Sequence, residues 1–87
     1  MSNDYLKRLN ALCEHSLKEY VYIHNDYVEI EIEGVNGHYE TLSALFKDGE
    51  FIFDPMCYSN VEQPDIEEFE EYLSEMTDLH NELELLD

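Results

Sequence analysis

Val28-Glu29-Ile30-Glu31-Ile32-Glu33 alternates an apolar residue with a carboxylate at every step, and Val35-Asn36-Gly37-His38 follows it almost at once. Strict alternation marks a strand that buries one side and wets the other, so one face here is oily and the other is a row of carboxylates. The Asn36-Gly37 pair is favoured in tight hairpin turns, and Tyr39 to Lys47 is therefore expected to return as the partner strand. Asp48-Gly49 gives a second turn signal. Beyond it, Glu50 to Asp54 reads as a third strand, with Phe51 and Phe53 on one side and Ile52 on the other. These runs make an antiparallel meander. Upstream, Tyr20 to His24 reads either as a short fourth strand or as the end of a helix, Asn25-Asp26 then being the turn before the carboxylate row.

Helical periodicity flanks the meander on both sides. From Asn3 to Glu19, Leu6, Leu9, Cys13 and Leu17 recur at three- and four-residue steps with Ala11 and Leu12 beside them, and Ser2, Asn3 or Asp4 stands where a cap belongs. Pro55 closes the last strand, and Met56 to Gln63 reads as a loop ending in Pro64, a residue suited to the first position of a helix. From there Ile66, Phe69, Leu73, Met76, His80 and Leu83 form one stripe, and Tyr72, Leu79 and Leu86 an adjoining one. The chain of 87 residues shows no internal repeat, low-complexity tract or linker, and its length suits one core. The expected architecture is a single α+β domain over residues 1–87: an N-terminal helix, a three- or four-stranded antiparallel meander and a long acidic C-terminal helix.

Charge is the dominant chemical feature. Asp and Glu number 22 against 4 Lys and Arg, a formal net charge of -18. Two carboxylates about 7 Å apart repel by roughly 0.6 kcal/mol even in bulk water, so a surface this one-sided carries a standing penalty and points to steering, mimicry or repulsion of polyanions. The first helical segment is neutral, with Lys7, Arg8 and Lys18 matching Asp4, Glu14 and Glu19. Lys47 is the sole cation between Tyr20 and Asn60, and from Glu62 to Asp87 there are 11 acids and no Lys or Arg.

Two groups of carboxylates are candidate partner-binding residues. On a strand, Glu29, Glu31 and Glu33 stand about 6.6–6.8 Å apart. That interval is comparable to the separation of successive phosphates on a nucleic-acid strand, given about 3.4 Å of axial rise and the added circumferential displacement. A carboxylate row at this spacing can occupy a groove lined with Lys and Arg. Asp26 precedes it, and Glu40, Asp48, Glu50 and Asp54 follow within the same sheet. The second group is the helical run containing Glu67, Glu68, Glu71, Glu75 and Asp78. Acids in the first turn of a helix favour its dipole, but Glu71 and Glu75 lie beyond that turn. Like charges four residues apart, as in Glu67 with Glu71 and Glu71 with Glu75, each destabilise by roughly 0.2–0.5 kcal/mol. Local helix stability gives no reason for them.

Other chemistries lack their signatures. Cys13, His15, His24, His38, Cys57 and His80 show no close ligand pairs of the kind zinc sites use, and no D-x-D-x-D-G segment offers a calcium loop, so neither metal nor cofactor is expected. No Gly-rich phosphate loop, nucleophile elbow or HExxH pattern appears, and a strongly negative field works against a Cys57 thiolate, so catalysis is not expected. His80, on the helix seam, reads as a packed or interface histidine. The two cysteines have neither the density nor the spacing of a disulfide scaffold and are expected as free thiols. With no apolar leader at Met1 to Asn10 and no run long enough to span a membrane, the expected compartment is the cytoplasm. Tyr20, Tyr22, Tyr27, Tyr39, Tyr58 and Tyr72 exceed what a core this small hides, and tyrosine is favoured at interface anchors.

With these residues in view, the whole chain resembles, in plan, the small acidic proteins that phages make to imitate DNA, among them anti-CRISPR, anti-restriction, glycosylase-inhibiting and nucleoid-protein-inhibiting examples. The likeness rests on length, the Glu29-Glu31-Glu33 strand, the cation-free stretch from Glu62 and the helix-sheet-helix order, which is similar to one anti-Cas9 inhibitor type. Such proteins share charge layout rather than motifs, so no residue carries over as a known contact. The resemblance implies an inhibitor in the cytoplasm of a bacterial host. It would bind a basic DNA-binding protein there and make no direct contact with nucleic acid or membrane. The alternative is an acidic adaptor or dimerisation module, with the two apolar stripes of the second helix supplying a homodimer seam.

Overall fold

The computed structural model describes residues 4–86. Helix α1 spans Tyr5–Leu12, strands β1 to β4 span Tyr22–Ile23, Tyr27–Glu33, Tyr39–Lys47 and Glu50–Ile52, and helix α2 runs from Gln63 to Leu86. The strands pair in chain order as one antiparallel sheet. The expected α+β layout is the observed one, and Tyr20 to His24 resolves as a short fourth strand.

Each turn has a local cause. His24 N–H donates to the Tyr27 carbonyl at 2.9 Å, leaving Asn25 and Asp26 as a two-residue connection. Asp48 and Gly49 both adopt positive φ, 55° and 84°, the backbone that a two-residue hairpin needs to match the twist of its strands. The β2–β3 connection is held from outside: Asn60 takes the Val35 N–H on its carbonyl at 2.8 Å and the Asn36 N–H on its Oδ1 at 3.2 Å. A Cβ at Gly34 would sit 2.6 Å from the Asn60 carbonyl oxygen, so only glycine lets that loop approach.

Both helices cover the same side of the sheet. Leu6, Leu9 and Cys13 from the first helical segment meet Val28, Ile30, Leu42 and Ala44 from the sheet and Ile66, Phe69, Tyr72, Leu73 and Met76 from α2. The result is two layers around one core. The other side of the sheet carries no helix. Flanking strands are short: β1 pairs only with Val28 and Glu29, and β4 only with Leu45 to Lys47, so the distal half of the β2–β3 hairpin extends beyond both. The 24 residues of α2 set a long axis of 46 Å in a body otherwise 22 × 21 Å across.

Three details depart from what the sequence led one to expect. The first helix stops at Leu12, eight residues long, and a separate 3-10 turn covers Ser16–Glu19. Cys13 is extended and His15 accepts the Leu17 N–H on Nδ1 at 3.1 Å, which starts the new turn and ends the old helix. Leu12 is thereby left exposed, and Asp4 stands at the N-cap without a side-chain cap bond; Ser2 and Asn3 lie outside the described residues. Tyr72, expected among surplus surface phenols, is instead the largest fully buried side chain. Its hydroxyl donates to Asn10 Oδ1 at 2.6 Å, so the polar tip is satisfied, and burial pushes the phenol well above its usual range. Leu86, assigned to an apolar stripe of α2, is exposed because the helix there has run past the sheet.

His80 is packed, as its place on the helix seam suggests. Its Nδ1 shares a hydrogen bond with the Tyr5 hydroxyl, and its ring meets Tyr5 and Phe46 edge-on. One histidine thus ties α1, β3 and α2 together.

Candidate partner-binding faces

Strand register determines which side chains share the helix-free face. Reading along β2, Tyr27 is flanked by Leu45, which in turn pairs with Ile52. Glu29 stands between Tyr22 on β1 and Ser43 on β3, Glu31 is opposite Thr41, and Glu33 is opposite Tyr39. Directly paired residues point the same way, so this face grades from an apolar end, Tyr27, Leu45 and Ile52, to the three carboxylates. Tyr22 and Tyr39 are 59 % and 68 % exposed and border the row at its two ends. Beyond the apolar end Lys47 faces Glu50 across the β3–β4 pair.

Glu29 is the one acid of the row with a fixed geometry. His24 Nε2 lies 2.8 Å from its Oε1, and the His24 ring stacks on Tyr27 with centroids 4.1 Å apart and planes 11° from parallel. Glu31 and Glu33 are exposed.

The remaining candidates separate from this row. Glu40 belongs to the alternation that buries Leu42 and Ala44, so it points to the helix side of the sheet. There it is half-buried, and its Oε2 accepts from Asn60 Nδ2 at 2.9 Å. Its work is to hold the hairpin. Asp26 is exposed in the β1–β2 turn, where its carbonyl accepts the Phe46 N–H at 2.7 Å, and it borders an open concavity with Asp4, Lys7 and His24.

On α2, Glu68, Glu71, Glu75 and Asp78 follow one another at three- and four-residue steps and so occupy one stripe, with Glu67 beside it. Because α2 covers the opposite side of the sheet, this stripe and the β2 row lie on different sides of the molecule. Two of its members also have structural partners that periodicity did not reveal. Glu75 Oε2 accepts the Glu14 N–H at 2.7 Å, and this bond holds the Glu75 carboxyl below its ordinary value of 4.5. Glu71 Oε1 lies 3.6 Å from His15 Nε2. Glu75 closes the break after α1, which gives it the stabilising role that helix-local reasoning denied it, while Glu71 lies exposed beside the same turn.

Three of the four cations gather at α1 and the turn after it, with Lys18 close enough to Glu75 to favour its charged form. Lys7 and Arg8 are on α1, while Lys18 Nζ donates to the Cys13 carbonyl at 2.8 Å and the Ala11 carbonyl at 3.3 Å. Both cysteines are free thiols. Burial raises the Cys13 thiol, and the Asp54 carboxylate, which accepts from Cys57 Sγ at 3.5 Å, raises the other. Among the described residues no group of three His, Cys, Asp or Glu side chains is arranged to hold a metal ion, and no helix is long and apolar enough to cross a membrane.

The pairing of Tyr22 with Glu29 and of Tyr39 with Glu33 was missed in the sequence. For Tyr39 the signal was present in the odd-numbered residues of β3, but assigning partners on either side of β2 requires the register, which the turns determine. Comparison with known protein families, curated proteins and solved structures finds no match for this chain.

Proposed function

We propose that this protein is a DNA mimic that occupies the basic nucleic-acid-binding surface of a bacterial DNA-binding protein or nuclease, such as a Cas effector, a restriction enzyme or a nucleoid protein, and blocks DNA there. The observation that carries this reading is the distribution of charge on an elongated body. Carboxylates stand on two opposite sides of a rod 46 Å long, the rise of about 13–14 base pairs at ~3.4 Å each, while three of the four cations sit at α1 and the turn that follows it. A basic channel shaped for a duplex would meet negative charge from both walls. Such contacts form fast and weaken with salt, because the Debye length near physiological ionic strength is about 8 Å.

Capture from bacterial lysate at two salt concentrations, with and without nuclease, names the target; competition against labelled DNA on the purified target then tests the reading. Affinity is expected to fall about tenfold or more between 50 and 200 mM salt, with DNA and the protein excluding each other. Reversing Glu29, Glu31 and Glu33 together is expected to abolish inhibition while the domain stays folded. A flat salt profile combined with simultaneous binding of DNA would instead favour an adaptor, for which the exposed apolar end at Leu45 and Ile52 offers a docking surface.

A further inference from the structure

The helix-free face of the sheet holds more than negative charge, and its extra components are placed in register with the acids. We propose that this face reads arginine rather than lysine on the partner's basic surface, with Tyr22 and Glu29 receiving one guanidinium and Tyr39 and Glu33 a second. The inference rests on the mimicry reading and specifies what that reading leaves open, the kind of cation the partner presents.

Tyr22 is the direct cross-strand partner of Glu29, and Tyr39 that of Glu33. Side chains so paired have Cβ atoms about 4.5–5.5 Å apart, which brings an exposed phenol ring alongside a carboxylate. A guanidinium is planar: it can give two parallel N–H bonds to a carboxylate and lay its face on an aromatic ring at the same time. An ammonium is a compact, strongly hydrated point charge that satisfies the carboxylate but gains less from the ring. Glu31 faces Thr41, which has no ring, so the middle of the row accepts either cation.

The Glu29 carboxylate and the backbone beside Glu33 and Tyr39 are held in place before a partner arrives, which reduces the ordering cost of binding. His24 fixes Glu29 at 2.8 Å and is itself stacked on Tyr27. Glu33 and Tyr39 flank the hairpin connection that Asn60 clasps through Val35 and Asn36. Glu33 lies four residue steps along the strand from Glu29, so the two guanidinium sites stand about 13 Å apart. Charge complementarity commits the occupant: three carboxylates and two exposed phenols suit an arginine-bearing protein surface and repel nucleic acid.

The test uses hexa-arginine and hexa-lysine peptides titrated into the full chain at low salt, followed by calorimetry and by NMR shifts of the isotopically labelled protein. Hexa-arginine is expected to bind about fivefold or more tightly than hexa-lysine, with the largest shifts at Tyr22, Glu29, Glu33 and Tyr39. The double variant Tyr22→Thr, Tyr39→Thr keeps strand-compatible residues at exposed positions and should bring hexa-arginine down to the affinity of hexa-lysine. Glu31→Gln should weaken both peptides by the same factor. Equal affinities for the two peptides, a preference that survives the double variant, shifts centred on α2, or a second copy of the chain covering this face would each overturn the arginine assignment. Competition with DNA on the purified target is scored separately. Retained competition with equal peptide affinities overturns this inference alone, whereas lost competition with the arginine preference intact overturns only the mimicry.

Discussion

The two acidic regions look alike as sequence and differ in what their carboxylates do. On β2, strand geometry turns Glu29, Glu31 and Glu33 to the helix-free face at a fixed interval; Glu31 and Glu33 are exposed, while Glu29 is half-buried against its side-chain partner, His24. On α2, Glu75 receives a backbone N–H and Glu71 approaches His15, so part of that stripe holds its own scaffold together. Density of acids along a chain is therefore a poor guide to which acids are free for a partner. Tertiary structure ties part of the α2 stripe into the scaffold and leaves Glu31 and Glu33 of the β2 row exposed.

The division can be broken most severely from inside α2. Tyr72→Ala empties the largest buried position and orphans Asn10 Oδ1, and a loss of about 3–5 kcal/mol is expected in denaturant unfolding. Gly34→Ala attacks the other region, since the new methyl meets the Asn60 backbone. About 1–3 kcal/mol should be lost, with NMR shifts confined to the hairpin and residues 58–62.

Glu75→Gln sharpens the comparison by pH. The folded carboxyl lies below its ordinary value of 4.5, so its contribution is present above that value and disappears as pH falls through the lower folded one. Unfolding curves should show the variant modestly less stable at pH 7, the effect being reduced by solvent screening, with the gap closing as pH falls below 4.5. The smallest effect belongs to the β2 row. Replacing Glu29, Glu31 and Glu33 together by Gln should leave stability within about 0.5 kcal/mol of the parent, because lost repulsion offsets the lost His24 contact. A large destabilisation by this triple variant would show that the row is structural after all.

Much of this was legible in advance, for identifiable reasons. Alternation along β2, the Asn-Gly and Asp-Gly pairs and the three-and-four spacing on α2 are local signals, and local geometry obeyed them. Glu40 was legible too: it shares parity with Leu42 and Ala44, and that alone turns it toward the helices. The break after Leu12 was not. Leu6, Leu9, Cys13 and Leu17 fit a continuous helix equally well, and what ends it is a distant acceptor, Glu75, together with the His15 side chain. Nor did composition show that Tyr72 would find Asn10 and go inside, since that bond spans 62 positions of sequence.

The brevity of β1 has a further consequence. Past it, the edge of β2 that faces away from β3 has no strand partner along Ile30 to Glu33, a length of backbone on which another extended chain could template itself. Two copies of this protein approaching edge to edge would bring Glu31 and Glu33 of each into apposition, and the mutual repulsion keeps that ladder from propagating. On the proposed reading, the surplus of anions that would draw in a cationic partner also opposes edge-to-edge pairing with a second copy.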